Sequence, residues 1–330
     1  MTHAVDISTI RASQLENRER NEVRKLVEGA ESRKLLIATD ISPSSHWVID
    51  AVKARPWPAG TEVCVLHVVD LTPFPLGAEL METARVGAES AVKSIGEDLA
   101  KSGLKTRTEV FLGAPRSAVP EYAKNWGADF AIVGSHGGIG VARFVLGSVA
   151  QAVVRSAPCS VEIVRHEASR KPSPAEEFKI LLATDGSDCS VAAIQSVAKR
   201  PWPPKTAIRV ISAVAPFIPV ADVASAYFYA GQSVLAAQAI EEAGRSRATE
   251  AIARAGELFR ESGVKGVETG GPVLGDPRAV ILDEAKQWSA DLIVVGSHGW
   301  RGLDRLMMGS VSESVAMHAH CSVEVIRPAR

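Results

Sequence analysis

Short apolar runs rich in β-branched residues alternate along the chain with helix-length stretches. The runs at 34–40, 62–70, 106–113, 128–135 and 160–165 read as strands, and a second series at 178–185, 207–214, 267–274, 290–297 and 322–327 repeats their order. Strands spaced by helices in this way imply βαβ units, whose crossovers lay helices on both faces of a parallel sheet. Pro115 and Pro277 each fall just past a strand, where the first turn of a helix accepts proline because that N–H has no intrahelical acceptor.

The two series are copies of one another. Leu35–Asp40 matches Ile180–Asp185, and Arg55-Pro56-Trp57-Pro58 matches Arg200-Pro201-Trp202-Pro203, both at an offset of 145 residues. Gly113–Arg116 matches Gly275–Arg278, and Gly134-Ser135-His136-Gly137 matches Gly296-Ser297-His298-Gly299, both at an offset of 162. The second copy therefore has 17 extra residues (162 − 145), mainly around Val220 to Ala237, between its second strand and the following long helix. A period of about 150 residues marks a duplicated domain, because solenoid repeats are several-fold shorter.

The division that follows is an N-terminal helical extension at 1–32, a first domain at 33–166, a Pro-Ser-Pro linker at 167–177 and a second domain at 178–330. Within the extension, residues 13–29 read as a helix with a Ser13/Glu16 capping box and a thin apolar stripe of Leu15, Val23, Leu26 and Val27. The expected fold is α/β: two tandem doubly wound five-stranded parallel-sheet domains, Rossmann-like, with their two separate sheets packed as a pseudo-twofold pair.

Composition narrows the function. The 330 residues are 46% hydrophobic and 23% charged, as in ordinary globular domains. A net charge of −1 lacks the electrostatic footprint of a nucleic-acid binder. No run reaches the roughly 18 apolar residues of a membrane span, and the first thirty residues mix Arg and Glu with no apolar segment of a secretory signal. A cytoplasmic location is expected. The four cysteines, Cys64, Cys159, Cys189 and Cys321, have no CxxC spacing and read as reduced thiols. Cys159 and Cys321 precede equivalent apolar strands, and Cys189 lies near a helix start.

The candidate chemistry sits at strand ends. After the fourth strand the first copy reads Gly134-x-x-Gly137, nine residues, Gly147-Ser148, and the second reads Gly296-x-x-Gly299, nine residues, Gly309-Ser310. Glycines there let the backbone approach a polyanion, and a helix start with serine offers N–H and hydroxyl donors to phosphate oxygens. The first strand of each copy ends in Thr39-Asp40 or Thr184-Asp185. In a doubly wound sheet ligands bind at the carboxyl ends where strand order reverses, so Asp40 and Gly134 are expected to face one pocket. Helix N-capping is the competing role for each aspartate, since Ser42, Ser44 and Ser187 stand nearby. Arg143 in the first copy and Arg301 and Arg305 in the second are candidates to pair with phosphate or to be solvated surface charges.

At these residues the chain resembles a tandem universal stress protein of the ATP-binding branch, over nearly all of residues 33–328. That family's pattern, Gly-x-x-Gly, nine residues, Gly-Ser/Thr, is matched without a gap in both copies. The resemblance implies ATP as ligand, with Mg²⁺ through the phosphates. It places Thr39 and Asp40, with Thr184 and Asp185, at the adenosine end; Val68 and Ala213 against adenine; and Val133 and Val295 beside it. Gly134, Gly137, Gly147, Ser148 and Val149, with Gly296, Gly299, Gly309, Ser310 and Val311, would hold ribose and phosphates.

Two features depart from the pattern or strain it. The second copy has Ser212-Ala213 for His67-Val68, and its insertion carries Tyr227, Phe228 and Tyr229, which could cover or obstruct its site. Family members often pair through the fifth strand, and here that strand holds Glu162 and Glu324 amid apolar neighbours, so each carboxylate must reach solvent or find a partner. A pseudo-dimer within one chain is expected, with a further homodimer open.

Other signals carry less. His318-Ala319-His320-Cys321 suggests metal ligation, but the first copy has Ser156-Ala157-Pro158-Cys159 there and no further ligands at zinc-like spacing follow. No Walker sequence occurs. His136 and His298 in the glycine loops read as histidines hydrogen-bonded to backbone, with a general-base role as the alternative. The reading is an adenine-nucleotide-binding regulatory protein without catalytic residues. The alternatives are a slow ATP-hydrolysing enzyme and an interaction scaffold with vestigial sites.

Overall fold

The computed structural model describes residues 32–43, 45–70, 78–135, 146–165, 177–216, 223–299 and 308–328, with Ala78 and 223–236 described by backbone alone. The first half runs β1 (Lys34–Thr39), α1 (Ser45–Ala54), β2 (Glu62–Asp70), α2 (Ala78–Ala100), β3 (Lys105–Gly113), α3 (Pro115–Trp126), β4 (Phe130–Gly134), α4 (Ser148–Ser156) and β5 (Ser160–Val164). The second half runs β6 (Phe178–Ala183), α5 (Asp188–Ala198), β7 (Thr206–Ile211), β8 (Ala213–Val214), α6 (Val223–Glu261), β9 (Val267–Thr269), β10 (Val273–Leu274), α7 (Pro277–Trp288), β11 (Leu292–Gly296), α8 (Ser310–His318) and β12 (Ser322–Ile326). The N-terminal helix expected at 13–29 and the linker at 167–176 lie outside the described residues.

Each half is a doubly wound parallel sheet, ordered β3-β2-β1-β4-β5 and β9-β7-β6-β11-β12. Near-continuous apolar burial in β1, β4, β6 and β11 is what a strand covered on both faces requires. Pro115 and Pro277 each open a helix, as their position predicts.

The expectation of two separate sheets is corrected. β5 and β12 pair antiparallel, Val323 opposite Ile163, Glu324 opposite Glu162 and Val325 opposite Val161, so the halves fuse into one ten-stranded sheet. A parallel five-stranded sheet leaves its last strand with unpaired backbone groups, and joining two such edges satisfies both.

The alternation along β5 and β12 sends Val161, Ile163, Val323 and Val325 into the core on one face of the fused sheet. Glu162 and Glu324 point to the other, where α1 and α5 end. There Arg55 donates to Glu162 at 2.6 and 2.5 Å and to Glu324 at 3.2 Å, and Arg200 donates to Glu324 at 3.0 and 2.5 Å. The Arg200 guanidinium also lies 4.6 Å from the Trp202 ring centroid and 5.0 Å from that of Phe130. The duplicated Arg-Pro-Trp-Pro thus has a structural role: its arginines neutralise the two seam glutamates. Its tryptophans donate Nε1–H to the Val52 and Val197 carbonyls in the last turns of α1 and α5. Burial opposes the Arg55 charge, but the two carboxylates outweigh it and raise its pKa.

The second half departs from the first at strands two and three. β7 stops at Ile211, Ser212 interrupts, and Ala213–Val214 instead pair with Val273–Leu274 in a separate two-stranded parallel sheet. The third strand breaks at Gly270-Gly271-Pro272, where glycine weakens a strand and proline removes a ladder donor. The described part of the insertion, from Val223, is continuous with a helix: α6 has 39 residues where α2 has 23.

Candidate functional site

β1 lies between β2 and β4, so the winding reverses between β1 and β4 and their carboxyl ends frame a crevice. A cavity of about 230 Å³ occupies it. The deep wall is apolar, made by Val48, Leu66, Val68, Val119 and Val133. The rim is polar and formed by Thr39, Asp40, Ser45, Gly134, Gly147 and Ser148, with Val149 beside them. The structure thus brings together Thr39, Asp40, Val68, Val133, Gly134, Gly147, Ser148 and Val149, all named from the sequence. Gly137 and Arg143 lie outside the described residues.

Asp40 is held by its neighbours. Its Oδ1 accepts from the Ser42 amide at 3.0 Å, the Ser42 hydroxyl at 2.6 Å and the Ser45 hydroxyl at 3.0 Å. Thr39 Oγ1 donates to Ser45 at 2.7 Å and accepts the Ile41 amide at 3.0 Å. Ser45, absent from the sequence reading, is therefore the hinge of the rim and is itself buried. His67 Nδ1 lies 2.8 Å from the Thr39 carbonyl, and the corresponding residue of the second half is Ser212. Ile41 has φ 60°, where the second half has Gly186 at φ 79°. A β-branched residue in that region is strained, and such strain concentrates at functional loops.

The N-terminus of α4 completes the rim. Gly147 is its N-cap, extended at φ −60°, ψ 151°, with no side chain to accept from the first turn. Serine or aspartate at that position would give its oxygen to the N2 or N3 amide, whereas glycine leaves the first-turn N–H groups for an outside acceptor. The Gly147 amide itself donates to the Ser135 carbonyl at 2.8 Å, fixing the loop end against β4. The N-terminus of α8 has the same design, with Gly309 at φ −69°, ψ 144° and its amide 2.8 Å from the Ser297 carbonyl.

In the second half the two loops of the site are tied together. Thr184 Oγ1 donates to Ser190 at 3.0 Å, as Thr39 does to Ser45. Ser187 is the N-cap of α5, so capping there falls to the serine, and Asp185 instead accepts the Ser187 amide at 3.0 Å. Ser187 also donates to the His298 carbonyl at 3.2 Å, tying the first-strand loop to the glycine loop. A Cβ on Gly299 would stand 2.5 Å from Asp185 Oδ2, and one on Gly296 2.6 Å from the Cys189 backbone. The backbone around Gly296 excludes any side chain, whereas one at Gly299 would require Asp185 to move.

Val295 is buried, Ser310 and Val311 open α8, and Ser312 donates to the Gly296 carbonyl at 2.5 Å. Ala213 has left the main sheet for β8. Arg301 and Arg305 lie outside the described residues, as do the side chains of Tyr227, Phe228 and Tyr229. His298 departs from its expected backbone partner: Nδ1 lies 3.0 Å from Ser297 Oγ, and Nε2 is buried with no partner among the described residues. Burial, then the positive charge of Arg327, hold its pKa below the ordinary value.

The cysteines divide as expected. Burial pushes the thiols of Cys64 and Cys159 up to about 11 and that of Cys321 to about 12, and Cys189 in the first turn of α5 is partly exposed. No helix among the described residues is long and apolar enough to cross a membrane.

Residues 31–165 and 178–327 each match the model of the Universal stress protein family. The chain belongs to that family. A universal stress protein of Methanocaldococcus jannaschii is 33% identical over 144 residues, which cover 40% of this chain and 82% of that protein. Among solved structures, a universal stress protein of Archaeoglobus fulgidus superposes with a TM-score of 0.63 at 20% identity, covering 91% of this chain and 97% of its own. A Pseudomonas aeruginosa protein described as functionally unknown gives 0.54 at 15% identity, covering 92% and 94%. The two structural likenesses extend over both halves, so the two-copy fold is shared.

Proposed function

We propose that this universal stress protein binds ATP, with Mg²⁺ carried by the phosphates, and acts as a regulatory protein of the cytoplasm through nucleotide occupancy rather than catalysis. The carrying observation is the first-half cavity, in which an apolar wall meets a glycine-capped helix N-terminus across the switch point of the sheet. A flat apolar base suits the wall formed by Val68 and Val133. The first-turn amides at Ser148 and Val149, which no side chain caps among the described residues, suit a polyphosphate together with the positive end of the helix dipole. Asp40, with three donors on one oxygen, is an oriented acceptor fitted to a ribose hydroxyl. The second site would take the same ligand more weakly, because Ala213, the counterpart of Val68, has left the main sheet for β8.

Calorimetric titration with MgATP tests the reading. Gly147→Asp supplies the missing cap, so a carboxylate takes the amides a phosphate would use. The helix should be retained or stabilised while first-site affinity falls at least about tenfold, the cost of a lost charge-assisted contact. Unchanged affinity in a folded Gly147→Asp variant would overturn the assignment.

A further inference from the structure

Each fifth strand is followed by an arginine, Arg165 after β5 and Arg327 after β12, at the same 162-residue offset as the glycine loops. Both cross the seam. Arg165 Nη2 donates to the carbonyls of Ala316 at 2.8 Å and Met317 at 3.1 Å, in the last turn of α8. Arg327 Nη2 donates to the Val154 carbonyl at 2.7 Å in the last turn of α4, and its Nη1 to Cys159 at 3.1 Å. Their main chains are pinned reciprocally: the Arg165 amide donates to Ser322 Oγ at 3.2 Å and the Arg327 amide to Ser160 Oγ at 3.1 Å.

The helices held in this way are the two whose glycine-capped N-termini rim the sites described above. Their last carbonyls have no intrahelical donor, and they carry the negative end of the helix dipole, so a guanidinium is complementary on both counts. A nine-residue helix is a rigid lever about 13 Å long, and fixing its carboxyl end fixes the amides at the other. The two levers also touch directly, Arg155 in the last turn of α4 donating to Glu313 in the first turn of α8 at 2.6 Å. Burial lowers the pKa of both arginines, and Arg165 keeps a buried Nε without a partner among the described residues. Charge is retained here against a desolvation cost.

We propose that Arg165 and Arg327 are positioning residues that act in trans, the arginine of each half setting the phosphate-facing helix of the other half's site. The proposal rests on the nucleotide reading above. Universal stress proteins of one domain would need a second chain for such a contact, whereas this chain supplies it internally.

The test is MgATP titration of the full chain with one site disabled, Gly147→Asp leaving the second site and Gly309→Asp the first. Measurements are made near pH 8, where His298 is neutral whether or not Arg327 is present. With only the second site available, Arg165→Ala should weaken binding about tenfold and Arg327→Ala by less than about twofold; with only the first site, the roles exchange. Arg165→Lys and Arg327→Lys, which keep the charge, should recover part of the loss. Arginines that weaken only their own half's site, or neither, overturn the proposal.

If the wild type binds no MgATP, the nucleotide reading falls by itself. The trans contact is then decided by amide hydrogen exchange: Arg165→Ala should deprotect α8 and leave α4 unchanged, and the reverse pattern overturns it.

Discussion

At the scale of single residues, His298 shows how a neighbouring charge and burial set a side chain's state. With Nε2 buried and without a partner among the described residues, the neutral ring that donates from Nδ1 to Ser297 Oγ leaves only a lone pair uncovered. This assignment follows from the hydrogen-bond network. Protonation would bury an unpaired N–H beside Arg327. The unfolded chain binds that proton near its ordinary pKa of about 6.5, while the folded chain binds it only at lower pH. The stability linked to His298 is therefore complete above about pH 6.5 and is lost as pH falls through the window below it. Urea midpoints measured at about pH 7.5 and 5.5 should fall more for the wild type than for His298→Asn, which keeps a donor near Ser297. Equal falls would assign the effect elsewhere.

At the scale of elements, the caps divide the labour. α5 is closed by Ser187, whose oxygen accepts the Ser190 amide, whereas α4 and α8 are left open by glycine. Ser187→Ala should cost about 1 kcal/mol, the usual value of a cap, read as a lower thermal midpoint. It also removes the bond to the His298 carbonyl, so the glycine loop of the second site should exchange its amides faster. A stability loss with no change in that loop would mean the bond does not hold the two loops together. The insertion belongs to this scale as well. The described part of the insertion, from Val223, is helical and continuous with α6, and the close approach of that helix at Gly244, where a Cβ would stand 2.9 Å from Val214 Cγ1, accompanies the detachment of β8 from the main sheet.

At the scale of the whole molecule, stability converges on the seam. Glu324 is fully buried and accepts from both Arg200 and Arg55, while Glu162 accepts from Arg55. A buried ion network adds little over an apolar replacement, but removing one member strands a charge. Arg200→Met should therefore lower the unfolding free energy by about 3–5 kcal/mol, and adding Glu324→Leu, Arg55→Met and Glu162→Leu should recover most of the loss. Equilibrium urea unfolding measures both steps, and a single-variant cost below about 1 kcal/mol would show that the network does not govern the seam. Because both fifth-strand edges are consumed internally, further copies of the chain must associate through other surfaces.

The sequence by itself determined the duplication, the alternation of strands and helices within each copy, the glycine pattern and part of the lining of the first cavity, namely Thr39, Asp40, Val68, Val133, Gly134, Gly147, Ser148 and Val149. These follow from local periodicity and from fixed spacings, which survive whatever the two halves do to one another. Only the tertiary structure decided that Glu162 and Glu324 are seam residues neutralised by the Arg-Pro-Trp-Pro arginines, because an ion pair between residues 107 or 124 positions apart leaves no trace in local pattern. The break at Ser212 and Gly270–Pro272 was partly legible in the residue types, but the re-pairing of β8 with β10 was not, since it depends on where α6 lies. Arg165 and Arg327 were invisible for the same reason: a terminal arginine after a strand reads as a surface charge until the other half's helix is seen to end against it.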